Sequence, residues 1–96
     1  MSERALTTRI LHAIRDRGHW AMKVVGHGMQ GGGYPDIIAC VRGRLVGIEV
    51  KVGKNKLTKL QELRAHQIGA SGGYFFVARD LEDILIEIDK ISARHS

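Results

Sequence analysis

Leu6, Ile10, Ala13 and Ile14 recur at the three-and-four spacing that lines one face of a helix, predicting a first helix over residues 2–17 with Gly18 as its stop. Residues 20–25 (Trp-Ala-Met-Lys-Val-Val) then read as a strand. Five glycines between Gly26 and Pro35 exclude regular structure there and predict a loop. Two strands follow, over residues 36–41 and 45–51, joined by a hairpin turn at Arg42-Gly43-Arg44. A basic loop holding Lys54 and Lys56 precedes a helix over residues 58–68, where Thr58 and Gln61 match the capping-box spacing. Gly69, Gly72 and Gly73 break the chain before a strand over residues 74–78. Asp80 then caps a last helix whose Leu81, Ile84, Leu85, Ile88 and Ile91 form one apolar stripe. Trp20, Phe75 and Phe76 fall on predicted strands and are assigned to the core.

The order α-β-β-β-α-β-α predicts an α/β fold with a central mixed sheet flanked by helices. Its strand-helix-strand stretch, residues 45–78, should be a right-handed crossover if the strands are parallel. A chain of 96 residues with 44% apolar composition fits one compact domain over residues 1–96. So small a surface favours self-association, which extends any binding face. No apolar run is long enough to span a bilayer, and Met1–Arg9 lacks the apolar core of a signal peptide. Cys40 is the lone cysteine, which excludes an intramolecular disulfide and fits a reducing cytoplasm.

Charge adds a hint about partners. The net charge is +5, and the asymmetry is sharper than that figure: residues 1–79 hold 13 Lys/Arg against 5 Asp/Glu, residues 80–96 hold 2 against 5. A basic body with an acidic end fits a polyanion on one face, or equally a solvated basic surface.

Candidate chemistry centres on Asp36, Glu49 and Lys51. Side chains two apart on a strand share a face, so Glu49 and Lys51 project together while Ile48 and Val50 point the other way. Ionised groups at the end of an apolar strand are costly unless paired or metal-bound. Two carboxylates converging from adjacent strands suit a hard cation such as Mg²⁺, and a lysine beside them can orient water or stabilise developing charge. Taken alone, Glu49-x-Lys51 reads more simply as an ion pair, with Asp36 as a turn residue. Hairpin parity separates the two. A three-residue loop at 42–44 would pair Ile37 with Glu49 and turn Asp36 away. A two-residue turn at Arg42-Gly43 would set Asp36 opposite Glu49, and one at Gly43-Arg44 opposite Lys51. An even loop or a compensating bulge is expected.

Around these residues the chain reads Gly31-Gly32-Gly33-Tyr34-Pro35-Asp36, Gly47-Ile48-Glu49-Val50-Lys51 and Leu57-Thr58-x-x-Gln61. Over roughly residues 20–85 this resembles the VRR-NUC domain of the PD-(D/E)xK nuclease superfamily. The resemblance implies a restriction-endonuclease-like core, with Asp36, Glu49 and the Val50 carbonyl binding Mg²⁺ or Mn²⁺ and Lys51 as the catalytic lysine. Gln61 would approach the site from its helix, or serve only as a cap. Glu3 would add a further acid, or merely favour the first turn of its helix. Beside such a centre the basic residues Lys54, Lys56 and Lys59, otherwise a solvated face, read better as phosphate contacts, and His27 in the glycine loop is a further candidate. The implied activity is a DNA endonuclease acting as a homodimer on branched DNA, like a Holliday-junction resolvase, and the implied source is a phage or prophage in a bacterial host. Alternatives are a nickase or restriction-like enzyme on duplex DNA, or a non-catalytic nucleic-acid-binding module. His12, His19, His27, His66 and His95 show no zinc-ligand spacing, and the glycine loop lacks the Gly-Lys-Ser/Thr of a phosphate loop. That loop suits close backbone approach to a nucleic-acid strand, or a flexible connection.

Overall fold

A computed structural model of the chain describes residues 1–25 and 31–96. Its elements run α1 (Glu3–Asp16), β1 (Trp20–Lys23), β2 (Ile37–Val41), β3 (Arg44–Val50), α2 (Lys59–Ala70), β4 (Tyr74–Ala78) and α3 (Leu81–Arg94), in the predicted order. Local chemistry sets the helix starts. The Ser2, Thr58 and Asp80 side chains accept from the backbone N–H groups of Ala5, Gln61 and Asp83, satisfying donors that helix geometry leaves free. β1 stops two residues short of the predicted Val25, although Val24 N–H still donates to the Asp36 carbonyl at 2.8 Å.

The strands form one mixed sheet in the order β1-β2-β3-β4, antiparallel except for the parallel pair β3-β4. One face is the core. Ile37, Ala39 and Val41 of β2 and Val46, Ile48 and Val50 of β3 are fully buried there, against Ile10 and Ile14 of α1 and Ile84, Ile88 and Ile91 of α3. Each such isoleucine contributes roughly 1.5–3 kcal/mol by leaving water.

The opposite face is only half covered. Helix α2 lies over β3 and β4 and itself buries no residue. It comes close because glycine lies beneath it: a Cβ on Gly47 or Gly73 would sit 3.1 Å or 2.9 Å from Ile68. No helix covers this face at β1 and β2 among the described residues, which corrects the assignment of Trp20 to the core. Strand alternation buries Ala21 and sends Trp20 to the uncovered side, where it is 59% exposed beside exposed Cys40 and Met22. Phe76 packs against the core as expected, whereas Phe75 is half-buried on the α2 face. Among the described residues no helix is long and apolar enough to cross a membrane.

Candidate active site

Hairpin parity decides the site. Val41 pairs with Arg44, so the turn is the two residues Arg42-Gly43, both with positive φ (50° and 80°), and Ile37 pairs with Ile48. One step further, Asp36 stands opposite Glu49. This is one of the two even-loop alternatives, and the one that brings the carboxylates together.

Asp36 Oδ2 accepts the Val50 N–H at 2.8 Å, which ties its carboxylate to the end of β3. Glu49 is 5% exposed. Its Oε2 accepts from Gln61 Nε2 at 3.0 Å and lies 3.8 Å from Lys51 Nζ, while its Oε1 is buried with no hydrogen-bond partner among the described residues. Burial pushes the Glu49 pKa up to about 7, assisted by the negative charge of Asp36 and less by that of Glu3, and opposed by Lys51. A proton on Glu49 would be shared with Asp36, which also favours the acid form. With both groups ionised there is no proton to share, and Oε1 is then left bare.

An orphaned oxygen on a buried carboxylate, facing a second carboxylate, fits a hard cation. The donor set is small: among the described residues no three His, Cys, Asp or Glu side chains cluster closely enough to hold an ion. Any ion here would need backbone or solvent oxygens as well.

Gln61 does both of the things read for it as alternatives. Its Oε1 accepts the Thr58 N–H at 2.9 Å, completing the capping box, while its Nε2 reaches Glu49. The two ends of one amide serve two partners, and the backbone donor at Thr58 dictates which end faces the carboxylate. Glu3 stays at the margin, with Oε2 3.5 Å from the Val52 amide N, and bears on the pair through its charge alone. Lys54, Lys56 and Lys59 are exposed on the adjoining loop and helix start. His27 lies outside the described residues.

Three supporting features escaped the sequence reading. Arg79 donates to the carbonyls of Gly53 and Asn55 at 3.1 Å and 2.8 Å, bracing the loop that carries Lys54 and Lys56. Arg64 Nε donates to the Gly32 carbonyl at 3.1 Å, and its guanidinium covers the Tyr34 ring at 4.4 Å. Arg64 is therefore engaged within the fold, unlike the exposed Lys54, Lys56 and Lys59 nearby. The described part of the glycine loop makes its close approach to α2: Gly31, Gly32 and Gly33 all have positive φ, and a Cβ on Gly33 would sit 2.5 Å from Leu60 Cγ. None of these contacts has a local signature, because partners about 25 to 30 residues apart leave no periodicity.

The fold is that of VRR-NUC domains. Similar solved structures include one described as a "VRR_NUC domain protein" (19% identity, TM-score 0.76, covering 95% of this chain and 88% of that one). Another is described as a "VRR_NUC domain" (18% identity, TM-score 0.70, covering each chain fully at 100%). A third is Hjc, a Holliday junction resolvase from the archaeal hyperthermophile Archaeoglobus fulgidus (24% identity, TM-score 0.63, covering 82% of this chain and 69% of that one). No protein-family model and no curated protein matches the sequence.

Proposed function

We propose that this chain is a divalent-cation-dependent DNA endonuclease. One observation carries the reading: a buried glutamate opposite Asp36 and beside Lys51 leaves its Oε1 without a partner among the described residues. Asp36 and Glu49, with the Val50 carbonyl, would hold Mg²⁺ or Mn²⁺, which when bound supplies Lewis-acid neutralisation of phosphodiester charge and a more acidic water. The remaining work falls to the chain. Lys51 presents an ammonium to the scissile phosphate and stabilises charge developing there. Gln61 locks the Glu49 carboxylate in one orientation. Lys54, Lys56 and Lys59 take neighbouring phosphates, and Glu3 tunes the charge of the pair from behind.

The fold shared with a Holliday junction resolvase favours branched DNA as substrate. Resolving such a junction needs two cuts related by symmetry, hence a homodimer. Cleavage of four-way junction, flap and linear duplex substrates, with Mg²⁺ or with chelator, tests the reading together with the mass in solution. Junctions should be cut fastest, by a dimer, and Lys51→Ala should abolish cutting. Cleavage that survives Lys51→Ala or chelation would overturn the chemistry; equal rates on duplex would replace the resolvase by a nickase or restriction-like enzyme.

A further inference from the structure

The sheet end farthest from Asp36 and Glu49 carries a second concentration of positive charge, unused by the proposed chemistry. Arg42 and Arg44 flank Gly43 at the tip of the β2–β3 hairpin, and Arg94 and His95 close α3 nearby. Arg94 Nη1 donates to Tyr74 Oη at 3.0 Å, and that hydroxyl lies 2.9 Å from His95 Nε2. Tyr74 stands beside Val46 in the parallel register, two residues from Arg44. Arg42, Arg44 and Arg94 are all exposed, and among the described residues none is paired with a carboxylate. His95 is held below its ordinary pKa by lost hydration and then by the charges of Arg44 and Arg94.

A second observation comes from the backbone. Arg42 has φ 50°, the sole positive value at a described non-glycine residue. That position of a two-residue turn suits Gly, Asn or Asp, and an arginine there is strained. Nothing within the fold explains the choice, since neither Arg42 nor Arg44 donates a side-chain hydrogen bond to another described residue.

We propose that this hairpin tip, Arg42 and Arg44 together with Arg94, is a second contact for the phosphodiester backbone of the DNA. It rests on the nuclease reading and extends it: Arg44 lies five residues along β3 from Glu49, roughly 17 Å at the rise of a strand. Five residues is an odd step, so Arg44 lies on the α1/α3 side of the sheet and Glu49 on the α2 side. A substrate arm leaving the catalytic end reaches the arginines only by passing around the exposed hairpin tip.

Binding measured by fluorescence anisotropy across a salt series, in a Lys51→Ala background that leaves the DNA uncut, tests this. Arg42→Gln with Arg44→Gln should make the dependence of log affinity on log salt shallower by about 2, at roughly 0.9 for each phosphate no longer neutralised. The same pair on otherwise unaltered protein should leave kcat at saturating DNA unchanged and raise KM. Arg42→Gly removes one charge while relieving the backbone, so it should fold at least as stably and lower the slope by about 1. Trimming the substrate arm should erase the difference between variants and parent. Unchanged slope and affinity in variants that still bind DNA would overturn this contact and leave the nuclease reading standing. A Lys51→Ala protein that binds no DNA, with no cleavage by the unaltered chain, would overturn both.

Discussion

Replacing Glu49 by glutamine should make this protein more stable and inactive at once. The Glu49 pKa lies at about 7 in the folded chain against an ordinary 4.5, so folding favours its acid form. The sign follows from linkage. Below 4.5 the group is protonated in both states and costs nothing; above 7 it is ionised in both, and the fold bears the whole penalty. A carboxyl held that far above its ordinary value costs the fold on the order of 2–3 kcal/mol once it is ionised in both states. Glutamine keeps an oxygen for Gln61 Nε2 and offers an N–H₂ in place of Oε1, which has no partner among the described residues. Urea denaturation in chelator should give equal stabilities near pH 4.5 and a Glu49→Gln advantage of about 2–3 kcal/mol well above pH 7. Titrations remote from the pair cancel in the difference, whereas those of Asp36 and Lys51 move with the Glu49 charge. Mg²⁺ should stabilise the unaltered protein at the higher pH and leave Glu49→Gln unmoved, because only the former gains from a bound cation. A variant no more stable than its parent above pH 7 would refute the claim that Glu49 is a strained, cation-seeking carboxylate.

Gln61→Glu retains an acceptor for the Thr58 N–H, and with it the capping box, but places a negative charge where Nε2 met Glu49. The helix should persist by circular dichroism while cleavage falls by about 10–100-fold; wild-type cleavage would reduce Gln61 to a cap. Gly33→Ala faces both a φ of 75° and a Cβ 2.5 Å from Leu60 Cγ, and should destabilise the fold by roughly 2–3 kcal/mol in urea titration. Gly53→Ala has the strained φ of 62° but open space, and should lose only about 1 kcal/mol. Equal losses at the two positions would refute the claim that Gly33 seats α2.

What could be read ahead of the structure followed one rule: features with a short-range cause were legible. Capping at Thr58 and Asp80, the stripe of α3 and the stop at Gly18 are set within a turn or two of chain. Hairpin parity belongs here too, because an even turn propagates along both strands and puts Asp36 on the Glu49 face; which even turn forms, and so whether Asp36 meets Glu49 or Lys51, came only with the structure. Trp20 fails the same rule. Its apolar character suits a core, but whether its face of β1 is covered depends on where α2 lands, a helix that begins 39 residues later in the chain. The braces at Arg64 and Arg79 fail likewise, since an arginine reaching a distant backbone carbonyl is indistinguishable in sequence from a solvated one.

Helix α2 gives the glycine loop a sharper meaning than sequence could. A helix with no buried residue has little hydrophobic reason to stay on a sheet, yet its Gln61 must stay within 3.0 Å of Glu49. Shape holds it instead. Gly33 admits Leu60, Gly47 and Gly73 admit Ile68, and Arg64 ties the helix to Gly32 and Tyr34, the residues leading into Pro35-Asp36. The glycine loop and the Leu57-Thr58-x-x-Gln61 segment are thus two halves of one joint. That joint positions the carboxylate of Asp36 and the amide of Gln61 around Glu49 together. A substitution in either half should therefore disturb Glu49 even though it touches neither the carboxylates nor Lys51.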